Sequence, residues 1–151
     1  MRVFASPDEL LSAVGEDLGA GDWLTIDQER IDKFAEATGD EQWIHTDPVR
    51  AKDGPFGATI AHGFLTLSLM AALSKDLMTV ERTKLVVNYG LDKVRFMKPV
   101  PVDSRVRASV VLSGVTVVGG GVQVSRTVTF EVEGEAKPAC VAENLVRYYR
   151  S

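Results

Sequence analysis

The stretch His62-Gly63-Phe64-Leu65-Thr66-Leu67-Ser68-Leu69-Met70-Ala71-Ala72-Leu73 is apolar almost all the way round a helix. A membrane span needs about 20 apolar residues, so this run is too short to cross a bilayer, and a helix without a polar face has to be covered by other parts of the protein. What can cover it follows Ser74-Lys75-Asp76, where the pattern changes to period two. Val102, Val106, Ala108, Val110 and Leu112 alternate with Asp103, Arg105, Arg107 and Ser109. Val122, Val124, Val128, Phe130 and Val132 alternate with Gln123, Ser125, Thr127 and Thr129. Such alternation predicts half-buried antiparallel strands, joined as a hairpin at Gly119-Gly120-Gly121. Lys84 to Asn88, Lys93 to Phe96 and Ala139 to Tyr148 supply further strands. The reading is an α+β protein in which a long antiparallel sheet wraps one apolar helix.

The segment before that helix is less regular. Ser6-Pro7-Asp8-Glu9 predicts a capped N-terminal helix ending near Gly15. Trp23 to Ile26 reads as a strand, and Asp27 caps a helix with Ile31, Phe34 and Ala35 as its apolar stripe, closed by Gly39. From Gly39 to Ala61 the chain is loop-rich, with a brief helix expected at Asp47-Pro48. At 151 residues and 45% hydrophobic content this is one domain, residues 1–151, with no repeat. The single Cys140 excludes a disulfide framework and fits a cytoplasmic setting. A net charge of -4 without a dense basic run argues against nucleic acid as a partner, and no apolar run is long enough for a membrane partner.

Chemistry concentrates between Thr38 and Pro48. His45 and His62 are the only histidines, and His45 sits five positions after Asp40 on what reads as non-helical backbone. Imidazole and carboxylate together suit proton transfer near neutral pH. Alone, Asp40 reads as a turn residue after Gly39 and His45 as a loop histidine bonded to backbone. His62-Gly63 changes the balance. It stands at the start of the apolar helix, where unpaired N–H groups and the helix dipole favour developing negative charge. An acid, an imidazole and a helix N-terminus suit proton transfer beside a carbonyl, with the enolate-like charge held by backbone donors.

The run Phe34-Ala35-Glu36-Ala37-Thr38-Gly39-Asp40-Glu41-Gln42-Trp43-Ile44-His45, followed by Ala51, resembles the hydratase motif of the MaoC-like, (R)-specific enoyl-CoA hydratases. Ala61-His62-Gly63-Phe64 and Val94-Arg95-Phe96-Met97-Lys98-Pro99-Val100 sit where that family has similar segments. The resemblance implies a hot-dog fold, a curved sheet around a central helix, and a homodimer with active sites at or near the subunit interface. It implies Asp40 and His45 as the catalytic pair and Gly63 as the amide that polarises the thioester carbonyl. His62 and Arg95 are weaker substrate-binding candidates. The implied reaction is reversible syn hydration of a trans-2-enoyl thioester of coenzyme A or acyl carrier protein to an (R)-3-hydroxyacyl thioester. It needs no metal and no cofactor. The chain departs from the family at Gln42-Trp43, where Asn-Pro is usual, so the loop loses a fixed backbone angle and gains bulk.

Three other functional readings rank below this one. His45, Asp47 and His62 have the residue types of a two-histidine, one-carboxylate iron site. A non-catalytic acyl-thioester-binding subunit and a hot-dog thioesterase would use the same scaffold. Ser68 lacks a nucleophile-elbow motif and reads as a core hydroxyl bonded to backbone or a tunnel-lining group. Cys140 reads as a strand core residue, and Lys93, Arg95 and Lys98 as possible contacts for the phosphates of coenzyme A.

Overall fold

The computed structural model describes residues 1–151. Its strands are β1 (Arg2–Phe4), β2 (Asp17–Ala20), β3 (Leu24–Ile26), β4 (Met78–Val80), β5 (Thr83–Phe96), β6 (Ser104–Val118), β7 (Gly121–Val132) and β8 (Cys140–Arg150). Its helices are α1 (Gln28–Thr38), α2 (Trp43–Thr46), α3 (Pro48–Lys52), α4 (Gly63–Ser68) and α5 (Met70–Ser74), with a 3-10 helix at Pro7–Ser12. The main sheet runs β2-β6-β7-β8-β5 with antiparallel pairing throughout, and β3 also pairs with β6. Register shifts in β2, β5 and β6 bend it, as an extra residue on one strand does in any antiparallel pair. Short β1 pairs in parallel with β4 beside it.

The period-two pattern puts one row of side chains on the inner face. Val106, Ala108, Val110 and Leu112 of β6 are buried there with Val122, Val124, Val128 and Phe130 of β7 and Cys140 and Ala142 of β8. Each large side chain in this layer contributes roughly 1.5–3 kcal/mol by leaving water. The layer is divided in two. One cluster gathers around α4, α5 and the β3–α1 corner, the other around Phe4, Leu10 and Tyr148. Between them, on β7 and β8, lie Arg126 and Asn144.

Several expectations change. The two predicted strands Lys84 to Asn88 and Lys93 to Phe96 are one strand, because bulges near Gly90 carry the pairing with β8 across the gap. The single central helix is two segments meeting at Leu69, whose ψ is -3°. Ser68 Oγ donates to the Leu65 carbonyl at 2.8 Å and Ser74 Oγ to the Met70 carbonyl at 2.7 Å, back-bonds that loosen a helix. Nor is the helix covered all round: Leu65, Leu69, Met70 and Leu73 are buried, while Phe64, Ser68, Ala71 and Ala72 are exposed. The N-terminal helix is of 3-10 type and Ser6 makes no side-chain cap; the Glu9 carboxylate accepts the Ala5 N–H instead, at 2.5 Å. Asp27 and Asp47 cap α1 and α3 as expected, accepting from Arg30 N at 2.9 Å and Arg50 N at 3.0 Å.

Candidate active site

Asp40 follows Gly39, which ends α1 in the left-handed region at φ 81°. That turn, which glycine adopts without Cβ strain, sends the chain back across the start of α4. His45 was expected on loop backbone but lies on the single turn of α2, buried. Two clamps hold this turn. Gln28, the first residue of α1, donates through Nε2 to the His45 carbonyl at 2.7 Å and accepts from Thr59 Oγ1 at 2.6 Å. Ile60 N donates to the Ile44 carbonyl at 3.0 Å.

The imidazoles are fixed by carbonyls. His45 Nδ1 donates to the Ile60 carbonyl at 2.7 Å, which leaves Nε2 of the neutral ring with its lone pair free. His62 Nε2 donates to the backbone carbonyl of Asp40 at 2.8 Å. The rings stack with centroids 3.9 Å apart and planes 22° from parallel, and Phe34 of α1 closes the far side of His62 at 4.9 Å. Burial, opposed by its bond to Asp40, holds the His62 imidazolium below its ordinary pKa, and the neighbouring His45 pushes the same way. His62 thus stands behind His45 and braces the Asp40 turn.

The Asp40 carboxylate is exposed, and its oxygen lies with ring nitrogens of His45 and His62 in a group spanning no more than 4.8 Å. Asp47, the acid of the iron-site reading, is instead the cap of α3. The stacking also opposes that reading: lone pairs lie in the ring planes, and rings stacked 22° from parallel with centroids 3.9 Å apart do not aim two nitrogens at one ion about 2.1 Å from each.

Gly63 opens α4 beside His45. Both line a cavity of about 220 Å3 with Thr66, Phe96, Lys98 and Val100. The Gly63 N–H belongs to the first turn and has no intrahelical acceptor. A Cβ at this position would lie 3.0 Å from the Phe96 ring, so a side chain here would have to push back a neighbour that also walls the cavity. Thr66 Oγ1, one turn further along α4, is buried without a partner in the same cavity, and His62 Nδ1 is the other buried polar atom left unpaired. Thr66 escaped sequence reasoning, although its position three residues after Gly63 puts it on the same helix face. Gln28 carried no signal at all, since its role comes from packing across distant segments, and Phe34 was legible only as part of the apolar stripe of α1 and of the hydratase-like run.

Arg95 is placed elsewhere. Val94 packs against the core, so Arg95 takes the opposite face of β5, exposed, with Nη1 bonded to the Val94 carbonyl at 2.9 Å. Lys98 does line the cavity and pairs with Glu135. The Gln42-Trp43 departure leaves the α2 turn intact. Trp43 occupies its first position with its ring under the Arg50 guanidinium, 4.2 Å from centroid, and against Gly54.

An antiparallel sheet curved over a central helix, with an acid–histidine loop laid on the helix start, defines a hot-dog protein of the hydratase type. Residues 9–134 match the MaoC like domain family, and the chain belongs to that family. It is 58% identical over 149 residues to 3-hydroxyacyl-thioester dehydratase Z of Mycobacterium tuberculosis, covering 98% of this chain and 99% of that relative. Among solved structures, a monoamine oxidase regulatory protein of Archaeoglobus superposes with a TM-score of 0.82 at 22% identity, covering 99% of this chain and 97% of that one. An (R)-hydratase of Pseudomonas aeruginosa superposes with a TM-score of 0.78 at 19% identity, covering 98% and 88%. At those identities the likeness is one of fold. No helix of the chain is long and apolar enough to cross a membrane.

Proposed function

We propose that this chain is a 3-hydroxyacyl-thioester dehydratase that also runs as an enoyl-thioester hydratase, with Asp40 and His45 as its catalytic pair. The observation that carries the reading is the convergence of the Asp40 carboxylate and His45 beside the Gly63 amide. The name of its 58% identical relative points the same way. In the hydration direction, a water held between Asp40 and His45 attacks the beta carbon of a trans-2-enoyl thioester. Its proton passes to His45 Nε2, the ring atom left as acceptor by the Nδ1 bond to Ile60. The charge that develops on the thioester oxygen is held by the Gly63 N–H. The imidazolium then returns the proton to the alpha carbon on the same face. One group taking and giving the proton makes the addition syn, and proton transfers alone balance the reaction, so no cofactor is required.

We further read residues 1–151 as a single cytoplasmic domain that works as a homodimer. Strand β5 is a long sheet edge with exposed Leu85, Val86, Tyr89 and Leu91, and the adjacent face of α4 and α5 is apolar and uncovered. Edges of this kind are paired or protected in stable proteins. A second copy of the same chain joined at β5 would cover both.

The test is to mix the protein with crotonyl-CoA and follow the conjugated thioester absorbance, then resolve the product by chirality. Loss of absorbance with (R)-3-hydroxybutyryl-CoA as product is expected. Release of free thiol would make the protein a thioesterase instead, and binding without turnover at any chain length would make it an acyl-thioester-binding subunit.

A further inference from the structure

The inner face of the sheet is apolar except for one row. Arg126 of β7, Asn144 of β8 and Asn88 of β5 lie on three successive strands at the boundary between the two core clusters. Arg126 is 9% exposed and Asn144 1%. The guanidinium donates through Nη2 at 2.7 Å and Nε at 3.2 Å to one oxygen, Asn144 Oδ1. Asn144 Nδ2 in turn donates to Asn88 Oδ1 at 2.9 Å and to the Gly90 carbonyl at 3.4 Å. The amides are therefore arranged so that an amide oxygen faces the arginine, and no carboxylate is paired with it. A buried cation without a counter-ion is costly, and a chain of this kind carries one where something else supplies the negative charge.

The space for it is present. Arg126, Asn144 and Asn88 open on a cavity of about 610 Å3 between the sheet and the helix, lined in part by Val86 and Leu91 of the edge that a second copy would roof over. Along the helix it extends from Phe64 to Lys75, about 16 Å at 1.5 Å per residue. Most of its wall is apolar, its only charged lining groups are Arg126 and Lys75, and no Asp or Glu reaches it. It begins next to the proposed reaction site: Phe64 lines it, Gly63 lines the site, and Phe64 meets Phe96 edge to face at 6.0 Å between the two.

We propose that this row is a carboxylate-binding subsite, and that the thioesters the protein handles carry a carboxylate toward the far end of the acyl chain. The apolar wall takes the methylenes. The free N–H groups of Arg126, held in orientation by the Asn144–Asn88 relay, take the carboxylate in the planar geometry that guanidinium favours. This substrate class rests on the dehydratase reading, whereas the subsite itself does not.

The experiment uses the full chain and pairs of trans-2-enoyl-CoA thioesters of equal length ending in a methyl or a carboxylate. The expected kcat/KM ratio favours the carboxylate by roughly 10–100-fold, the range of a charge-assisted bond pair. Arg126→Gln should bring that ratio to within about twofold of one. Asn144→Asp is the second variant: it puts a carboxylate on the arginine inside the protein at the loss of the Nδ2 bonds to Asn88 and Gly90, so it should still fold cooperatively, checked by its melting transition, and lose the preference as well. In a separate arm, calorimetric titration with a free straight-chain dicarboxylic acid should show binding that the monocarboxylic acid of equal length lacks and that Arg126→Gln abolishes. If methyl-ended thioesters turn over and no carboxylate preference appears in either arm, the proposal is overturned and the dehydratase reading stands. If neither thioester turns over but the dicarboxylate binds through Arg126, the subsite stands and the dehydratase reading falls. An Arg126→Gln variant that becomes monomeric by light scattering, with both arms flat, overturns the proposal by giving the arginine to a subunit contact.

Discussion

The histidine pair at the start of α4 and the Arg126–Asn144–Asn88 row on the sheet are both polar groups set into apolar surroundings beside the same helix. They are stabilised in opposite ways. The histidines use backbone carbonyls, Ile60 for His45 and Asp40 for His62, so each ring is held in orientation by one nitrogen and keeps the other unpaired. Arg126 uses only side-chain amide oxygen and stays a cation. A neutral ring with a free lone pair is suited to moving a proton, while a fixed cation is suited to holding an anion in place. In the roles we propose, the first arrangement serves chemistry and the second recognition.

Mutations separate the two regions. His45→Gln should cost roughly 10^3-fold in turnover of an enoyl thioester, within the range for a general acid–base group, with little change in melting temperature. Gly63→Ala should cost roughly 10–100-fold in kcat, because its methyl would press on the Phe96 ring and shift the amide; adding Phe96→Ala should recover part of it. At the arginine the larger effect is on stability. Asn144→Ala leaves the buried guanidinium without its acceptor and should cost about 3 kcal/mol, or about 6–12 °C in melting temperature, whereas Arg126→Met leaves only the neutral Asn144 oxygen unpaired and should cost less, about 1–2 kcal/mol. An Asn144→Ala protein as stable as the parent would show that the arginine finds its partner elsewhere.

The smallest expected effect is in pH. Burial lowers the His62 pKa from 6.5, so below that pH the unfolded chain binds more protons than the folded one at this residue. Stability from the neutral ring is therefore full above about 6.5 and is lost as pH falls toward the folded value. Melting temperature followed downward from pH 7 should fall less steeply in His62→Gln than in the parent.

How legible each region was in the sequence follows the same division. His45 announces itself because the chain has only two histidines, and Asp40 and Gly63 because they lie against a turn and an apolar run. The strands did so through alternation, and α1 through its cap at Asp27 and its stop at Gly39. Arg126 was hidden because it breaks the inward pattern of β7 and reads, between Ser125 and Thr127, as one more polar residue. Only the register that sets it opposite Asn144 reveals the row. Gln28 and Thr59, which hold the His45 carbonyl, are 31 positions apart and carry no local signature. The open face of the central helix was equally unreadable, since apolarity all round says that a helix is covered and not by which chain.

The central claim is that Asp40 and His45 act as one unit on one water. Crotonyl-CoA turnover by Asp40→Asn, His45→Gln and the double variant, each checked for native melting temperature, measures this directly. If the two act together, the double variant should be no slower than the worse single one, since each loss already removes the shared water. Losses that multiply, or activity that survives the double substitution, would contradict it.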